Sequence, residues 1–347
     1  MTMLEPLTIL LTAAGSPGAS TCIRYLRGVS EREVRVVGLD ANPKASGRFF
    51  ADVFYPVPLA SDPGYIEALI KVALQEKARV LIPASSFDIE VVAPHASRFE
   101  EAGVKVLCSS PEVLSVANNK HRLYAALEND ERVKVPQFIL TDSLAAFLEA
   151  VRSLGYPEKG VCFKPPYSKG SRGFRYLSSN LSRRDLLMNQ KPESTLISLE
   201  EFQDIFCDEP DFPEFLVMET VEGEEIDTMV VGWEGQALLI THKTRERARG
   251  GVITQGELVS REALDETVRA IVKQVPLTYN FGIQFKGGYL IEINPRLSTF
   301  IYDNDFVEPY LAVKLALGEL SPDQIAAYQD RAPIGRRMVR YFDQVFF

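Results

Sequence analysis

Apolar and polar positions along the first third of the chain alternate between strand and helix patterns. Leu7 to Thr12 is a continuous apolar run, as in a strand buried on both faces. Ala13 to Ser20 is rich in small residues and carries two glycines, and Cys22 to Leu26 opens a helical pattern. Val34 to Asp40 reads as a second buried strand. Ile66 to Lys77 places Ile66, Leu69, Ile70 and Ala73 on one helical stripe. Arg79 to Pro83 predicts a third strand, Ile89 to Glu101 a helix, and Val104 to Cys108 a fourth strand. Strands alternating with helices imply a parallel sheet covered by helices on both faces. This first unit reads as Rossmann-like and ends near residue 115.

Beyond it the pattern becomes mixed. Asn119 to Glu128 is helical, Val135 to Leu140 a strand, and Ser143 to Leu154 a helix ended by Gly155-Tyr156-Pro157. Val161 to Pro165 and Gly173 to Leu177 predict strands joined by a Gly- and Ser-rich loop. Asn180 to Pro213 reads as one helix and a polar connection. Phe215 to Val221, Asp227 to Val231 and Ala237 to His242 predict strands, the last two separated by a turn at Trp233 to Gly235. Leu264, Val268, Ile271, Val272 and Val275 share a helix face. Gly282 to Phe285 and Tyr289 to Asn294 predict a hairpin, and Tyr310 to Leu317 a helix. No repeat at solenoid periods is visible.

The 347 residues imply two to three compact units. A net charge of −9 argues against a nucleic-acid binder, which needs surplus cations. Cys22, Cys108, Cys162 and Cys207 lie far apart without metal-ligand spacing, and His95, His121 and His242 show no zinc pattern. No apolar run approaches the ~20 residues of a membrane helix. The start of the chain lacks the basic and apolar regions of a signal peptide, so a cytoplasmic protein without a membrane partner is expected.

Three segments carry candidate chemistry. The loop from Lys164 to Gly173 follows an apolar strand and offers glycines, serines and cations, which suits phosphate oxygens. A basic hairpin turn facing solvent is its plain alternative. In Tyr289 to Arg296, strand alternation points Glu292 and Asn294 one way and Ile291 and Ile293 into the core. Two oxygen ligands on a rigid strand suit Mg²⁺, which fills its octahedron with phosphate oxygens and water. Gln284 joins that face if Lys286-Gly287-Gly288 forms a three-residue loop; a two-residue turn would put it on the wrong face. Phe215 to Asp227 reads as strand, bend and strand, with backbone able to pair with an adenine edge and a carboxylate beyond it.

In order, Lys120, Lys164 with its Gly-rich loop, Met218-Glu219, Gly223-Glu224-Glu225, Gln284 and Glu292-Ile-Asn294-Pro-Arg296 resemble the ATP-grasp superfamily. Within it the pattern is similar to one synthetase half of the carbamoyl-phosphate synthase large chain. The resemblance covers essentially the whole chain. It implies an α/β and α+β architecture: a Rossmann-like pre-ATP-grasp domain over 1–115, a small lid subdomain with a linker helix over 116–214, and a large subdomain with the metal site over 215–347. It implies ATP and Mg²⁺ as cofactors, with Mn²⁺ as an alternative metal. Lys120 and Lys164 would hold phosphates, and Ser168, Gly170, Ser171 and Gly173 would form the phosphate lid. Glu219, Thr220 and Val221 would read adenine, and Glu225 would bind ribose. Glu292 and Asn294 would bind metal with Gln284 assisting at metal or phosphate, and Arg296 would steady the γ-phosphate. Lys243, Arg245 and Arg249 match more loosely a region facing the acceptor, with Arg245 the candidate catalytic residue beside Arg296 and Lys164. Ser298, Thr299, Tyr302 and Asp303 are placed to line a carboxylate pocket.

The implied activity is a carboxylate–amine ligase acting through an acyl-phosphate on a small carboxylate and an amine. A homodimer is the expected state by base rate. The chain carries one synthetase half and no glutaminase signature, so a complete carbamoyl-phosphate synthase is excluded. Two other readings remain: an ATP-binding sensor or partner subunit without catalysis, and a nicotinamide oxidoreductase resting on Gly15, Gly18 and Asp40.

Overall fold

Residues 3–168, 170, 172–189, 194–249, 251–297 and 303–347 are described by the computed structural model. The first of these form a parallel sheet from β1 (Leu7–Leu11), β2 (Val34–Asp40), β3 (Val53–Pro56), β4 (Val80–Ile82) and β5 (Lys105–Val106), in the order β3-β2-β1-β4-β5. Helices α1 (Ala19–Arg27), α2 (Tyr65–Gln75), α3 (Ser86–Val92), α4 (Ala96–Glu101) and α5 (Pro111–Ala117) accompany it. The helix expected from Ile89 to Glu101 is broken in two. Pro94 has no N–H and opens a 3-10 turn, Ala93–His95, between α3 and α4. Strand β3 escaped the sequence reading because it is a half-buried edge strand set among Pro43, Gly47, Pro56 and Pro58.

The strand order reverses between β1 and β4, where parallel sheets open a crevice at their carboxyl ends. Thr12 and Ala84 stand there. Thr12 Oγ1 donates to Asp88 Oδ2 at 2.7 Å and accepts from Ala84 N at 3.0 Å. Ser85 caps α3 by accepting from Asp88 N. The Gly-rich loop after β1 is braced from within: Asp40 Oδ2 accepts from Gly15 N at 2.7 Å. Gly47 lies so close that a Cβ on it would stand 2.1 Å from the Ala14 carbonyl oxygen.

The second sheet contains β11 (Glu225–Trp233), β12 (Gln236–Thr244), β13 (Arg247–Arg249), β14 (Val252–Val259), β15 (Tyr279–Lys286), β16 (Tyr289–Asn294) and β17 (Arg337–Val339), with α10 (Glu262–Gln274), α11 (Glu308–Ala316) and α12 (Pro322–Ala326). Its order is β13-β14-β12-β11-β15-β16, and β17 pairs with β14. Strands β13 and β17 were not legible, because three-residue strands with exposed arginines carry no apolar alternation. Helix α11 is buried along most of its length. It shares one core with Ile23 and Leu26 of α1, Ile9 of β1, and Met229 and Val231 of β11. Residues 1–117, 224–285 and 292–347 form one compact unit.

The other unit holds 118–223 and 286–291. It contains α6 (Lys120–Leu127), β6 (Phe138–Thr141), α7 (Leu144–Ser153), β7 (Val161–Lys164), β8 (Arg175–Leu177), α8 (Arg183–Asn189), β9 (Leu196–Ile197), α9 (Leu199–Phe206) and β10 (Phe215–Glu219). Its sheet runs β6-β10-β7-β8-β9. The stretch expected as one helix and a connection holds two helices with a strand between them. Its second helix, α9, is capped by Ser198 and delivers Phe202 and Phe206 to an aromatic core. There Phe147 and Phe202 stack with centroids 3.9 Å apart.

The hairpin differs from expectation. Strand β15 ends at Lys286 and β16 begins at Tyr289, so Gly287 and Gly288 form a two-residue turn, at φ 56° and 83°. A Cβ on Gly287 would meet the Glu222 carbonyl oxygen at 2.0 Å, which explains the close turn. Gln284 nonetheless reaches the face of Glu292. Leu290 and Ile293 are both buried, three residues apart, while Ile291 is only half-buried. Burial along β16 therefore departs from strict alternation, which would require an even spacing.

Candidate functional site

Strands β11, β12, β15 and β16 present a polar row on one face. In the β11–β12 ladder Asp227 pairs with Lys243, and Arg245 N donates to Glu225 O at 3.1 Å. Period-2 alternation therefore sets Glu225 and Asp227 beside Lys243 and Arg245. On the next strands Gln284, Glu292 and Asn294 converge. With the Gln284 amide assigned the orientation that satisfies both neighbours, its nitrogen donates to Glu292 Oε1 at 3.3 Å and its oxygen accepts from Arg245 Nη1 at 2.8 Å. Asn294 Nδ2 donates to the same Glu292 oxygen at 3.3 Å. Arg245 Nε stands 3.2 Å from Glu225 Oε2. One carboxylate and two amides, fixed on neighbouring strands, are the hard oxygen donors that suit Mg²⁺.

Arg296 lies past the end of β16 and is half-buried. Its Nε donates to Ser86 Oγ at 3.2 Å and its Nη1 to Leu297 O at 3.0 Å. Burial pulls its guanidinium down, and the charges of Glu292, Asp227 and Asp88 oppose that. Arg296 is thereby anchored at the start of α3, beside the crevice where Thr12 holds Asp88.

Asp227 was missed as a site residue. The signal was present: a carboxylate in the middle of an otherwise buried strand sequence. Burial pushes its carboxyl up to about 6, Arg245 and Lys243 pull it back, and Glu292 adds to the rise. The folded value exceeds the unfolded one. Its contribution to stability is therefore fully present below about pH 4 and lost as pH rises through about 6. Asp227→Asn should accordingly be more stable than wild type at pH 8, by up to about 3 kcal/mol from a rise of about two units. The gain should vanish at pH 4. Urea unfolding at the two pH values checks this; an equal difference at both would exclude it.

Lys243, assigned to the acceptor region from sequence, is fully buried against Glu308 of α11, with Nζ 3.3 Å from Oε1. Burial pulls its ammonium down against the charges of Glu308 and Asp227. Arg249 is exposed, its guanidinium 5.3 Å from the Phe342 ring centre. His242 bridges Thr228 and Asp265 at 2.8 Å each, a structural tie between β12 and α10. Among the described residues no group of His, Cys, Asp and Glu could by itself hold a metal ion.

The remaining candidates belong to the other unit. Lys120, at the start of α6 behind the cap Asn119, donates through Nζ to Ser168 O at 3.4 Å. Lys164 ends β7, is buried, and lies 5.7 Å from the centre of the Tyr124 ring. Tyr124 in turn donates to Ile291 O at 2.6 Å. Gly170 and Gly173 both adopt positive φ, and a Cβ on Gly173 would strike Pro165 at 2.6 Å. In the 219–221 segment the Glu219 and Thr220 N–H groups donate to Gln137 O and Gly160 O. Ser171, Ser298, Thr299 and Tyr302 lie outside the described residues. Asp303 accepts from Arg336 at 3.2 Å.

Comparison with known proteins agrees with this arrangement. Residues 9–107 match the family of PylC-like N-terminal domains, and residues 211–335 match the family described as ATP-grasp in the biosynthetic pathway with Ter operon. The carbamoyl phosphate synthase large chain of Bifidobacterium animalis subsp. lactis (strain AD011) is 35% identical over 78 residues, 22% of this chain and only 6% of that protein. Biotin carboxylase from Campylobacter jejuni, in a β,γ-ATP complex, superposes with a TM-score of 0.64 at 19% identity, over 92% of this chain and 72% of the other. N5-carboxyaminoimidazole synthetase from Staphylococcus aureus, with ADP, gives 0.63 at 15% identity, over 92% and 80%. The biotin carboxylase domain dimer of Hydrogenobacter thermophilus 2-oxoglutarate carboxylase, with MgADP and bicarbonate, gives 0.63 at 18%, over 90% and 70%. At these identities the structural likeness shows the fold alone. The two family matches and the structural likeness together show the architecture: a Rossmann-like pre-ATP-grasp domain followed by a two-subdomain ATP-grasp fold.

Proposed function

We propose that the protein is an ATP-dependent carboxylate–amine ligase. The observation that carries this reading is the convergence of Gln284, Glu292 and Asn294 on adjacent strands, with Arg296 just beyond them. Glu292 and Asn294 hold the metal, and Gln284 orients Glu292. A Mg²⁺ held by these residues would supply positive charge against the phosphates. Lys120 and Lys164 hold phosphates, Ser168, Gly170, Ser171 and Gly173 cover them, and Glu225 accepts from ribose hydroxyls. Val221 N–H supplies the hinge donor for adenine. Arg296 steadies the transferring phosphoryl group at the crevice end of the parallel sheet.

In the proposed reaction a substrate carboxylate oxygen attacks the γ-phosphorus and ADP leaves. An amine then attacks the acyl carbon, phosphate leaves, and the amine proton passes to solvent or buffer. Positioning and fixed charge supply the catalysis, so no nucleophilic side chain is required. The division at 1–115, 116–214 and 215–347, a cytoplasmic setting and a homodimer complete the reading. Among the described residues no helix is long and apolar enough to cross a membrane.

The test is ADP and phosphate release with Mg-ATP and a panel of amino acids and small carboxylates. ADP formation that depends on one carboxylate and is captured by an amine supports the ligase. Tight Mg-dependent ATP binding without turnover across the panel turns the reading toward a non-catalytic nucleotide sensor. No ATP binding removes the proposal.

A further inference from the structure

Four side chains form an unbroken chain across the candidate site. Glu225 pairs with Arg245 at 3.2 Å, Arg245 donates to Gln284 at 2.8 Å, and Gln284 donates to Glu292 at 3.3 Å. All four belong to one compact unit. The two ends have different proposed ligands: ribose hydroxyls at Glu225 and the metal at Glu292. We propose that Arg245 is a positioning residue that couples ribose recognition to metal binding. This rests on the nucleotide-binding reading of the site given above.

The physical basis is the guanidinium itself. It is planar and rigid, so a shift at its Nε edge is carried to its Nη1 edge. The Arg245 side chain is only 11% exposed, so it cannot relax into water. The Glu225 side chain is 45% exposed. Ribose hydroxyls donating to Glu225 fix the carboxylate against Arg245. The fork then holds the Gln284 oxygen, and the Gln284 amide aims Glu292 Oε1. A nucleotide lacking a ribose hydroxyl fixes the first link less well, and the metal ligand at the far end is aimed less well.

A second observation concerns polar atoms without partners. Among the described residues, Arg245 Nε and Asp227 Oδ1 are both sealed from solvent without a hydrogen bond, although Nε lies within ion-pair distance of Glu225. Buried polar atoms are seldom left this way, because each costs the loss of its hydration. Lysine at position 245 would keep the charge but not the two-edged fork, so Arg245→Lys should not restore the link.

Linkage makes the effect reciprocal and measurable without turnover. The experiment is equilibrium binding of ATP and of 3′-deoxyATP to the whole chain across a Mg²⁺ titration, followed calorimetrically. In wild type the Mg²⁺ concentration for half-maximal binding should be at least about 5-fold higher with 3′-deoxyATP than with ATP, a modest coupling factor. In Arg245→Met and Arg245→Lys the two midpoints should coincide. Glu225→Gln cuts the same chain at its exposed end and should also merge them, which covers a failure of the Arg245 variants to fold. Equal midpoints in wild type overturn the proposal. So does a difference that survives in every variant. Absence of any ATP binding by wild type would instead count against the proposed function itself, so the two failures are distinguishable.

Discussion

Glu292→Gln should lower ATP-dependent turnover by about 10²–10³-fold, because it removes the one carboxylate of the metal-ligand row and with it several kcal/mol of charge stabilisation. The substitution is close to isosteric, so the strand and its neighbours stay in place. Two amides, from Gln284 and Asn294, donate to the Glu292 oxygen in the protein as it stands. A glutamine oxygen there can still accept from both. The loss therefore falls on the metal and not on packing. Metal-free ADP should bind with unchanged affinity, while the Mg²⁺ requirement should rise well above that of wild type. Single-turnover ADP formation and a Mg²⁺ titration of nucleotide binding measure the two. Turnover within 10-fold of wild type at saturating Mg²⁺ would mean that Glu292 is not the principal ligand.

Much of this site could be read along single strands. Glu292, Asn294 and Arg296 sit on one strand and its exit, where alternation assigns faces directly. What failed were the relations that need two strands at once. The hairpin loop is two residues long, not three, and Gln284 still lies beside Glu292. Strict alternation along the two strands does not account for that neighbourhood. Asp227 went unnoticed because its meaning comes from the cations across the ladder. Ser86 and Asp88 went unnoticed because they lie about two hundred residues from Arg296 and meet it only in the fold. In the fold itself, long buried strands such as Val34–Asp40 were legible, since a strand covered on both faces is apolar throughout. Short edge strands such as Val53–Pro56 and Arg247–Arg249 were not, because tertiary pairing and not local pattern makes them strands.

Lys243→Met should destabilise the unit that contains it by about 3–5 kcal/mol, the usual cost of leaving one member of a buried ion pair alone. The side chains of Lys243 and Glu308 are 1% and 2% exposed, so neither can reach water when its partner is lost. Lys243 Nζ also donates to Thr241 Oγ1 at 3.1 Å, and that hydroxyl donates onward to Glu308. The network fastens the first turn of α11 to β12, and α11 carries much of the shared core. A fall in thermal midpoint of roughly 10 °C is the expected reading. The double variant Lys243→Met, Glu308→Leu should recover most of it, because it removes both charges and returns two apolar side chains to an apolar site. The pair of results separates two roles. If Lys243 instead served an acceptor substrate, the single variant would lose ligase turnover with its melting point intact, and the double variant would rescue nothing. A structural pair predicts the opposite: stability moves with each charge removed alone and returns when both are gone.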